Sequence, residues 1–184
     1  IGNFFLKISL EKNFKIIDIL REKKKKNKNL ISLRKKYKSS YHSIFFSNLN
    51  QIKNKLKNKK IDYFINFATL YKNSHRHSEI PKFINANIIF PTIVLDTIFP
   101  KVKKIINFGT MMQHLDGKNY YPKNFYASTK SAFEMIMNYY TTKNKNLKFY
   151  NLKFYESFSE EDYRKKLIPK LLKNYKNNSF TKII

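Results

Sequence analysis

A tyrosine and a lysine lie four residues apart in the stretch NFYASTKSAFE, and Thr110 precedes the tyrosine by sixteen residues. If this stretch is helical, Tyr126 and Lys130 lie one turn apart on the same face. A lysine ammonium at that spacing favours the phenolate, which lowers the tyrosine pKa from its ordinary value of about 10. A threonine at the carboxyl end of a nearby parallel strand can hydrogen-bond the same substrate oxygen. The three residues therefore predict a site that moves a proton on and off a carbinol or carbonyl oxygen.

The same spacing also fits an ordinary aromatic residue on a helix surface beside a solvated lysine. The chain has 13 tyrosines and 38 lysine and arginine residues together, so a tyrosine four residues before a lysine arises readily by chance. The elements around the motif have to decide between the two interpretations.

Apolar runs and helical stretches alternate along the chain, which predicts an α/β domain with a parallel sheet. The predicted strands are 14–20, 43–49, 61–69, 103–110 and 147–156. The predicted helices are 3–13, 50–60, 83–99, 124–143 and 163–175, with Pro91 kinking or interrupting the third. The lysine-rich stretch 21–40 indicates a solvated loop or a frayed helix.

The net charge of +26 suggests two origins. Lys, Asn, Ile, Phe and Tyr are abundant and share A/T-rich codons, so an AT-rich genome explains the charge; a surface selected for polyanions is the other explanation. Only four of the basic residues are arginine, the preferred residue for phosphate and base contacts, and this argues against nucleic acid. The chain has no cysteine, no apolar run of about 18 residues and no signal peptide, which predicts a cytoplasmic protein with no membrane span.

A separate metal or glycosidase chemistry is not predicted. The four histidines have no partners at metal-ligand spacing, although HRH at 75–77 is a loose match. The acidic stretch SEED at 159–162 is more typical of a loop or a helix start than of a catalytic pair.

Several stretches, in order, resemble the extended short-chain dehydrogenase/reductase family of NAD(P)-dependent sugar-nucleotide epimerases, dehydratases and reductases. IGNFFLKISLEKN resembles the end of the phosphate-binding glycine turn and its helix. IDYFINFAT resembles the strand that ends at the cofactor, and NANIIFPTIVLDT resembles the following helix. INFGTMMQ and NFYASTKSAFE resemble the catalytic strand and the tyrosine–lysine helix. LKFYESFSEEDYRKKLIPKLL resembles the passage into the substrate lobe.

This resemblance implies a Rossmann-type doubly wound parallel sheet and the site roles that go with it. Tyr126 would be the general acid/base, Lys130 would lower its pKa and bind the nicotinamide ribose, and Thr110 would orient the substrate oxygen. Cofactor contacts would come from Gly2, Arg21, Asn48, Leu49, Phe67, Ala68, Thr69, Asn87, Tyr126 and Lys130, although Asn87 also fits a plain helix-surface position. Substrate contacts would come from Met111, Met112 and Gln113.

Cofactor choice depends on the end of the second strand of that fold. Leu20 falls where NAD-dependent relatives carry an acid, and Arg21 follows it. An arginine without that acid suits the 2′-phosphate of NADP. Arg21 is alternatively one more surface cation, and Asp18 is close enough to change the register, so NAD stays open.

By the same resemblance the chain lacks the first strand, the first two glycines of the phosphate turn and most of the substrate lobe. Phe158, Ser159 and Glu160 stand where the family has a Tyr-Gly-Pro turn. The implied domains are 1–155 for NAD(P) binding and 156–184 for the start of the substrate lobe. The implied function is an NAD(P)-dependent oxidoreductase, epimerase or dehydratase acting on a nucleotide sugar for surface polysaccharides, in an incomplete or degraded form, and the implied assembly is a homodimer. The alternative is a non-catalytic basic module that binds nucleic acid or another polyanion.

Overall fold

A computed structural model describes residues 2–24, 26–99, 101–155, 157 and 167–180. Contacts divide the chain into two units, Ile1–Lys153 and Phe154–Ile184. The segment at 158–160 that departs from the family turn lies outside the described residues. In the second unit the described helix is α7 (Leu167–Lys176), which overlaps the predicted helix 163–175. The domain boundary after residue 155 stays a prediction.

Five strands form two sheets within the described part of the chain. β1 (Ile16–Arg21) and β2 (Tyr41–Phe46) pair in parallel as one sheet, while β3 (Tyr63–Asn66), β4 (Lys104–Thr110) and β5 (Lys148–Phe154) form the other in that order. β3 and β4 are also parallel. The predicted α/β class is therefore confirmed, and β3 is shorter than predicted because residues 67–69 leave the strand.

The helices of the first unit follow the predicted pattern, and the lysine-rich stretch 21–40, predicted as a loop or a frayed helix, is partly helical. α1 (Gly2–Glu11) buries Leu6 and Leu10, which lie one turn apart. The lysine-rich stretch contains a true helix, α2 (Lys28–Lys36), because the Asn27 side chain accepts a hydrogen bond from the Leu30 backbone N–H at 3.2 Å. The remaining helices are α3 (Asn50–Leu56), α4 (Ile80–Ile84), α5 (Phe90–Ile98) and α6 (Phe125–Lys143).

The predicted interruption near Pro91 takes the form of a π-helical turn. Asn85–Ile89 is π-helical and joins α4 to α5. Pro91 has no backbone N–H, so it cannot donate one of the hydrogen bonds that a regular α-helix would need just after this turn. The turn carries Asn87, which is buried although it is polar.

Two apolar clusters hold the first unit together. The smaller lies where α1 and α2 cover the β1–β2 sheet. The larger lies between the sheets and α3, α5 and α6, and aromatic pairs such as Phe46 with Phe90 (ring centroids 5.2 Å apart) extend it. The members of the larger cluster are Ile44, Phe46, Ile52, Leu56, Val94, Leu95, Ile98, Val102, Ile105, Phe133, Met137, Tyr140 and Leu147. Among the described helices, none has the length and apolarity to span a membrane.

A row of three asparagines crosses the β3–β4–β5 sheet near the carboxyl ends of β3 and β4. The Asn66 amide donates to Asn107 Oδ1 at 2.9 Å, and the Asn107 amide donates to Asn151 Oδ1 at 2.9 Å. Asn107 is fully buried. Buried polar groups are costly unless they are hydrogen-bonded, and the row supplies partners for the Asn66 and Asn107 amide N–H groups and for the Asn107 and Asn151 amide oxygens.

Replacing Asn107 by leucine should lower the free energy of unfolding by about 2–4 kcal/mol, because a buried donor on Asn66 and an acceptor on Asn151 both lose their partner. Urea unfolding followed by circular dichroism measures the change. Asn146→Leu is the control, since Asn146 is exposed. Equal urea midpoints for the two variants would contradict a stabilising asparagine row.

Candidate active site

The helix α6 places Tyr126 and Lys130 in its first two turns. The helix begins at Asn124, whose side chain accepts a hydrogen bond from the Ala127 N–H at 2.9 Å. This cap fixes the start of the helix and therefore the face on which Tyr126 and Lys130 lie. Tyr126 is half-buried, and Lys130 is only 2% exposed. The solvated lysine of the alternative interpretation does not describe Lys130.

Tyr126 lies against the segment that follows β3. Its ring meets the Tyr71 ring edge-on with centroids 4.9 Å apart, and its hydroxyl hydrogen-bonds the Thr69 side chain. Burial raises the pKa of Tyr126 above its ordinary value, and the Thr69 bond offsets this only in part. The sequence predicts a lowered pKa for Tyr126, whereas its burial in the structure raises this pKa.

Burial also changes the protonation of Lys130. It lowers the pKa of Lys130 from 10.5 to about 8, because an ammonium is poorly solvated inside the protein. This pKa is close enough to neutral pH for the amine to lose and regain a proton readily under those conditions. Burial acts on Tyr126 and Lys130 in opposite directions, since it favours the neutral form of each.

Thr110 is the last residue of β4 and the N-cap of a 3-10 turn, Met111–Gln113. It is buried, and its Oγ1 accepts a hydrogen bond from the Met112 N–H at 3.3 Å. A hydroxyl that accepts one bond still has its own proton to donate. The position fits the predicted role of orienting a substrate oxygen.

The predicted cofactor residues Gly2, Phe67, Ala68, Thr69 and Asn87 come together around the segment after β3. Gly2 begins α1, and a Cβ added to it would lie 3.4 Å from the Phe67 ring. The Ala68 N–H donates to Asn66 Oδ1 at 3.1 Å. The Asn87 amide bonds the Leu70 backbone N–H at 2.6 Å and carbonyl at 3.0 Å, and donates to Thr129 Oγ1 at 2.9 Å. Asn87 therefore ties this segment to α6, which is more than the plain surface role left open for it.

The other predicted cofactor residues lie on the β1–β2 sheet. Arg21 is exposed at the carboxyl end of β1, in register with Phe46 of β2. Asn48 follows β2 and accepts a hydrogen bond from the Asn50 N–H at 3.0 Å, while Leu49 packs against the larger apolar cluster. These residues share one edge because the carboxyl ends of parallel strands lie together.

The predicted substrate residues divide into two kinds. Met111 and Met112 are partly exposed. Gln113 is fully buried: its Oε1 accepts from the Thr110 N–H at 2.9 Å, and its Nε2 donates to Ser131 Oγ at 3.3 Å and Glu134 Oε2 at 2.8 Å. These bonds place Gln113 beneath Thr110 as a supporting residue, and its predicted contact with a substrate stays a prediction.

The sequence analysis missed the polar residues that support the site. Glu134 lies one turn after Lys130, and its carboxylate forms an ion pair with Lys153 at 3.3 Å. The sequence offered one indication: Glu134 is the single acidic residue of α6, in a chain with only 12 acidic residues. Within the described ranges, no three His, Asp or Glu side chains gather as metal ligands would.

Comparisons with known proteins agree with this architecture. The sequence model of the NAD dependent epimerase/dehydratase family matches residues 1–184. No curated protein sequence matches the chain. One similar solved structure is Pen from Bacillus thuringiensis, with a TM-score of 0.68 and 18% identity over 97% of this chain and 53% of that one. A second is a UDP-glucuronic acid 4-epimerase from Bacillus cereus in complex with UDP-4-deoxy-4-fluoro-glucuronic acid and NAD, with a TM-score of 0.63 and 16% identity over 82% of this chain and 50% of that one. A third is a carbonyl reductase from Pseudomonas aeruginosa PAO1 in complex with NADP, with a TM-score of 0.61 and 15% identity over 78% of this chain and 69% of that one. The chain spans about half the length of the first two, and these likenesses show a shared fold.

Lys130→Met should stabilise the protein near pH 7. The unfolded lysine has a pKa of 10.5 and the folded one about 8, so the unfolded state binds more protons between these values and stability rises with pH there. Below that window the native protein carries the whole cost of a buried ammonium. Removing it should raise the free energy of unfolding by about 3 kcal/mol at pH 7, with a smaller gain near pH 10.

Urea midpoints at the two pH values measure this effect. Lys145→Met serves as the control, because Lys145 is exposed. A gain that does not change between pH 7 and pH 10 would mean that packing of the methionine, rather than the charge, is responsible.

Proposed function

The chain belongs to the NAD dependent epimerase/dehydratase family, and from this premise we propose that it is an NAD(P)-dependent oxidoreductase or epimerase acting on a nucleotide-linked sugar. Tyr126 is the general acid/base, Lys130 and Thr110 are its partners, and a sugar hydroxyl or ketone is the reacting group. A dehydratase reaction belongs to the same proposal.

The residues present fit a nicotinamide dinucleotide. The N-terminus of α1 offers backbone N–H groups to a phosphate, and Gly2 leaves the space beside Phe67 free of a side chain. The Lys130 amine is a hydrogen-bond donor for a ribose hydroxyl, and Ala68 and Thr69 lie in the same region of the fold. A bound nicotinamide cofactor supplies the hydride or accepts it.

The protein's own contribution is to hold and move a proton. Tyr126 donates its phenolic proton to a ketone oxygen in reduction and takes one from a hydroxyl in oxidation. The Thr110 hydroxyl donates to the same oxygen and so fixes its direction. Lys130 as ammonium stabilises the phenolate that remains. Asn87, through Leu70 and Thr129, keeps the segment after β3 aligned with α6.

The observation that carries the proposal is the burial of Tyr126 and Lys130 together, one turn apart on α6. Burial of a lysine is costly, and a chain with this many surface lysines has no need to bury one for folding. A buried amine with a lowered pKa one helical turn from a half-buried phenol is a candidate functional site for this reason. A chance match to the motif gives no reason for the lysine to leave the solvent.

The substrate class rests on similarity. A structural neighbour binds UDP-4-deoxy-4-fluoro-glucuronic acid with NAD, and others are in complex with UDP-glucose and NAD or with UDP-N-acetylmuramic acid. We extend the proposal to a nucleotide sugar for surface polysaccharides, made in the cytoplasm, with NADP as cofactor and NAD as the alternative. A homodimer is part of the same proposal.

Titration with NADPH and NADH, followed by nicotinamide fluorescence, tests the cofactor. NADPH should bind saturably, and Lys130→Ala should weaken binding about tenfold or more because a charge-assisted hydrogen bond is lost. Tyr126→Phe should leave binding within about threefold, since it removes only one hydroxyl. A chain that is folded by circular dichroism and binds neither nucleotide would overturn the proposal.

Arg21 should decide between the cofactors. Arg21→Ala is expected to raise the dissociation constant for NADPH about tenfold or more and to leave that for NADH unchanged, because only NADPH has a 2′-phosphate. Arg76→Ala removes another exposed arginine and is the control. Equal losses for the two nucleotides, or none, would argue for NAD and for Arg21 as an ordinary surface cation.

A further inference from the structure

We propose that Glu134, paired with Lys153, is a positioning residue that sets the orientation of the Gln113 amide and through it the position of Thr110. This inference rests on the proposed function, because the position of Thr110 matters to catalysis only if Thr110 orients a substrate oxygen. Neither Glu134 nor Lys153 belongs to the tyrosine–lysine motif. Both act from beneath the site.

A continuous chain of contacts leads from Lys153 to Thr110. Lys153 Nζ lies 3.3 Å from Glu134 Oε1, and Glu134 Oε2 accepts a hydrogen bond from Gln113 Nε2 at 2.8 Å. Gln113 Oε1 then accepts from the Thr110 backbone N–H at 2.9 Å. The chain crosses from β5 through α6 to the end of β4. Gln113 is fully buried, and Glu134 is nearly so.

The orientation of Gln113 follows from the chemistry of its two partners. An ionised carboxylate only accepts hydrogen bonds, whereas a backbone N–H only donates. With Glu134 on one side and the Thr110 N–H on the other, the Gln113 amide satisfies both in a single orientation. The flipped amide would set two donors against each other at Thr110 and two acceptors against each other at Glu134.

Hydrogen bonds from neighbouring side chains keep the carboxylate ionised in this buried position, and the charge of Lys153 adds to their effect. Burial acts to raise the pKa of Glu134, but the side chains of Asn151, Tyr120 and Gln113 and the charge of Lys153 outweigh it, so the pKa is lowered. Lys153 Nζ also lies 2.6 Å from His114 Nε2 and donates to the Tyr120 hydroxyl at 3.3 Å. His114 Nδ1 lies 2.9 Å from the Asn119 carbonyl, so its proton is on that nitrogen and Nε2 accepts from Lys153.

Gly109 shows how closely the amide approaches the strand. A Cβ at this position would lie 2.7 Å from Gln113 Oε1 and 2.9 Å from Asn151 Oδ1, closer than side chains pack. The backbone must be a glycine here for the amide to reach the Thr110 N–H. Gly109→Ala is therefore an independent way to displace Gln113 without changing any charge.

The test is Thr110 amide hydrogen exchange, measured by NMR on the full chain and on four variants of it. In Glu134→Gln, one side of the new side chain carries an amide NH2 group, which faces either the Lys153 ammonium or the Gln113 NH2 group. Either orientation sets two donors against each other, which displaces Gln113, so exchange at the Thr110 amide should quicken about tenfold. Lys153→Met leaves the acceptor-only carboxylate and should keep exchange within about threefold. Glu134→Gln/Lys153→Met removes the conflict with the ammonium and should restore slow exchange.

The Lys148 amide, which donates to the Lys103 carbonyl at 3.0 Å, is the reference for general loosening. Gly109→Ala should quicken Thr110 exchange as Glu134→Gln does. If Glu134 and Lys153 only stabilise the fold as an ion pair, the two single variants will behave alike and the double variant will not recover. That result would overturn the proposal.

This test stands apart from the proposed function. Thr110 exchange is read without any ligand, so a chain that binds no nicotinamide nucleotide can still show the predicted pattern. Conversely, unchanged Thr110 exchange in Glu134→Gln would overturn the positioning role while NADPH binding continues. Where NADPH binds, Glu134→Gln should leave its dissociation constant within about threefold, because none of the cofactor residues is in this chain of contacts.

Discussion

Hydrogen bonding between buried amides at one end of the β3–β4–β5 sheet is the constraint on which the candidate site depends. Asn66 donates to Asn107, and Asn107 donates to Asn151, across the three strands. Gln113 joins this group above Gly109, where its Oε1 and the Asn151 Oδ1 would both touch a single added Cβ. Asn107 and Gln113 are hydrogen-bonded at both ends of their amides, so neither can turn without leaving a buried polar group unpaired. A site built on such a group is held in one arrangement.

The same logic explains why one acid matters in a chain of net charge +26. Among the described ion pairs, Lys72–Glu79 and Lys103–Asp62 lie at the surface, where such pairs contribute little. Glu134 is buried, where a carboxylate without its cation would be costly. The excess of lysine in the composition therefore says little about the site, whereas the one lysine that accompanies Glu134 acts with the neighbouring hydrogen bonds to lower its pKa.

The sequence predicted the elements and the motif because these are local. Helical spacing located α6, and the apolar runs located β1 to β5 within a few residues. The capped helix α2 was harder to predict, since its lysines hide the Asn27 cap and the buried Leu30. Contacts between distant residues could not be predicted: Glu134 meets Gln113 and Lys153 only after α6, β4 and β5 have packed. The bonds of Gln113 to Thr110 and Glu134 could not be predicted either, because the position of a residue in the chain does not reveal which way its side chain lies.

The protonation of Tyr126 and Lys130 differs from the sequence prediction for one physical reason. The prediction considered only the attraction between an ammonium and a phenolate, yet both groups are buried and burial penalises each charged form. It raises the pKa of the phenol and lowers that of the amine to about 8. A phenolate is therefore not stored in this structure. If Tyr126 is the acid/base, the anion must form only during the reaction, when a substrate hydroxyl and the Lys130 ammonium stabilise it together. That arrangement favours the transition state over the resting protein, which is what catalysis requires.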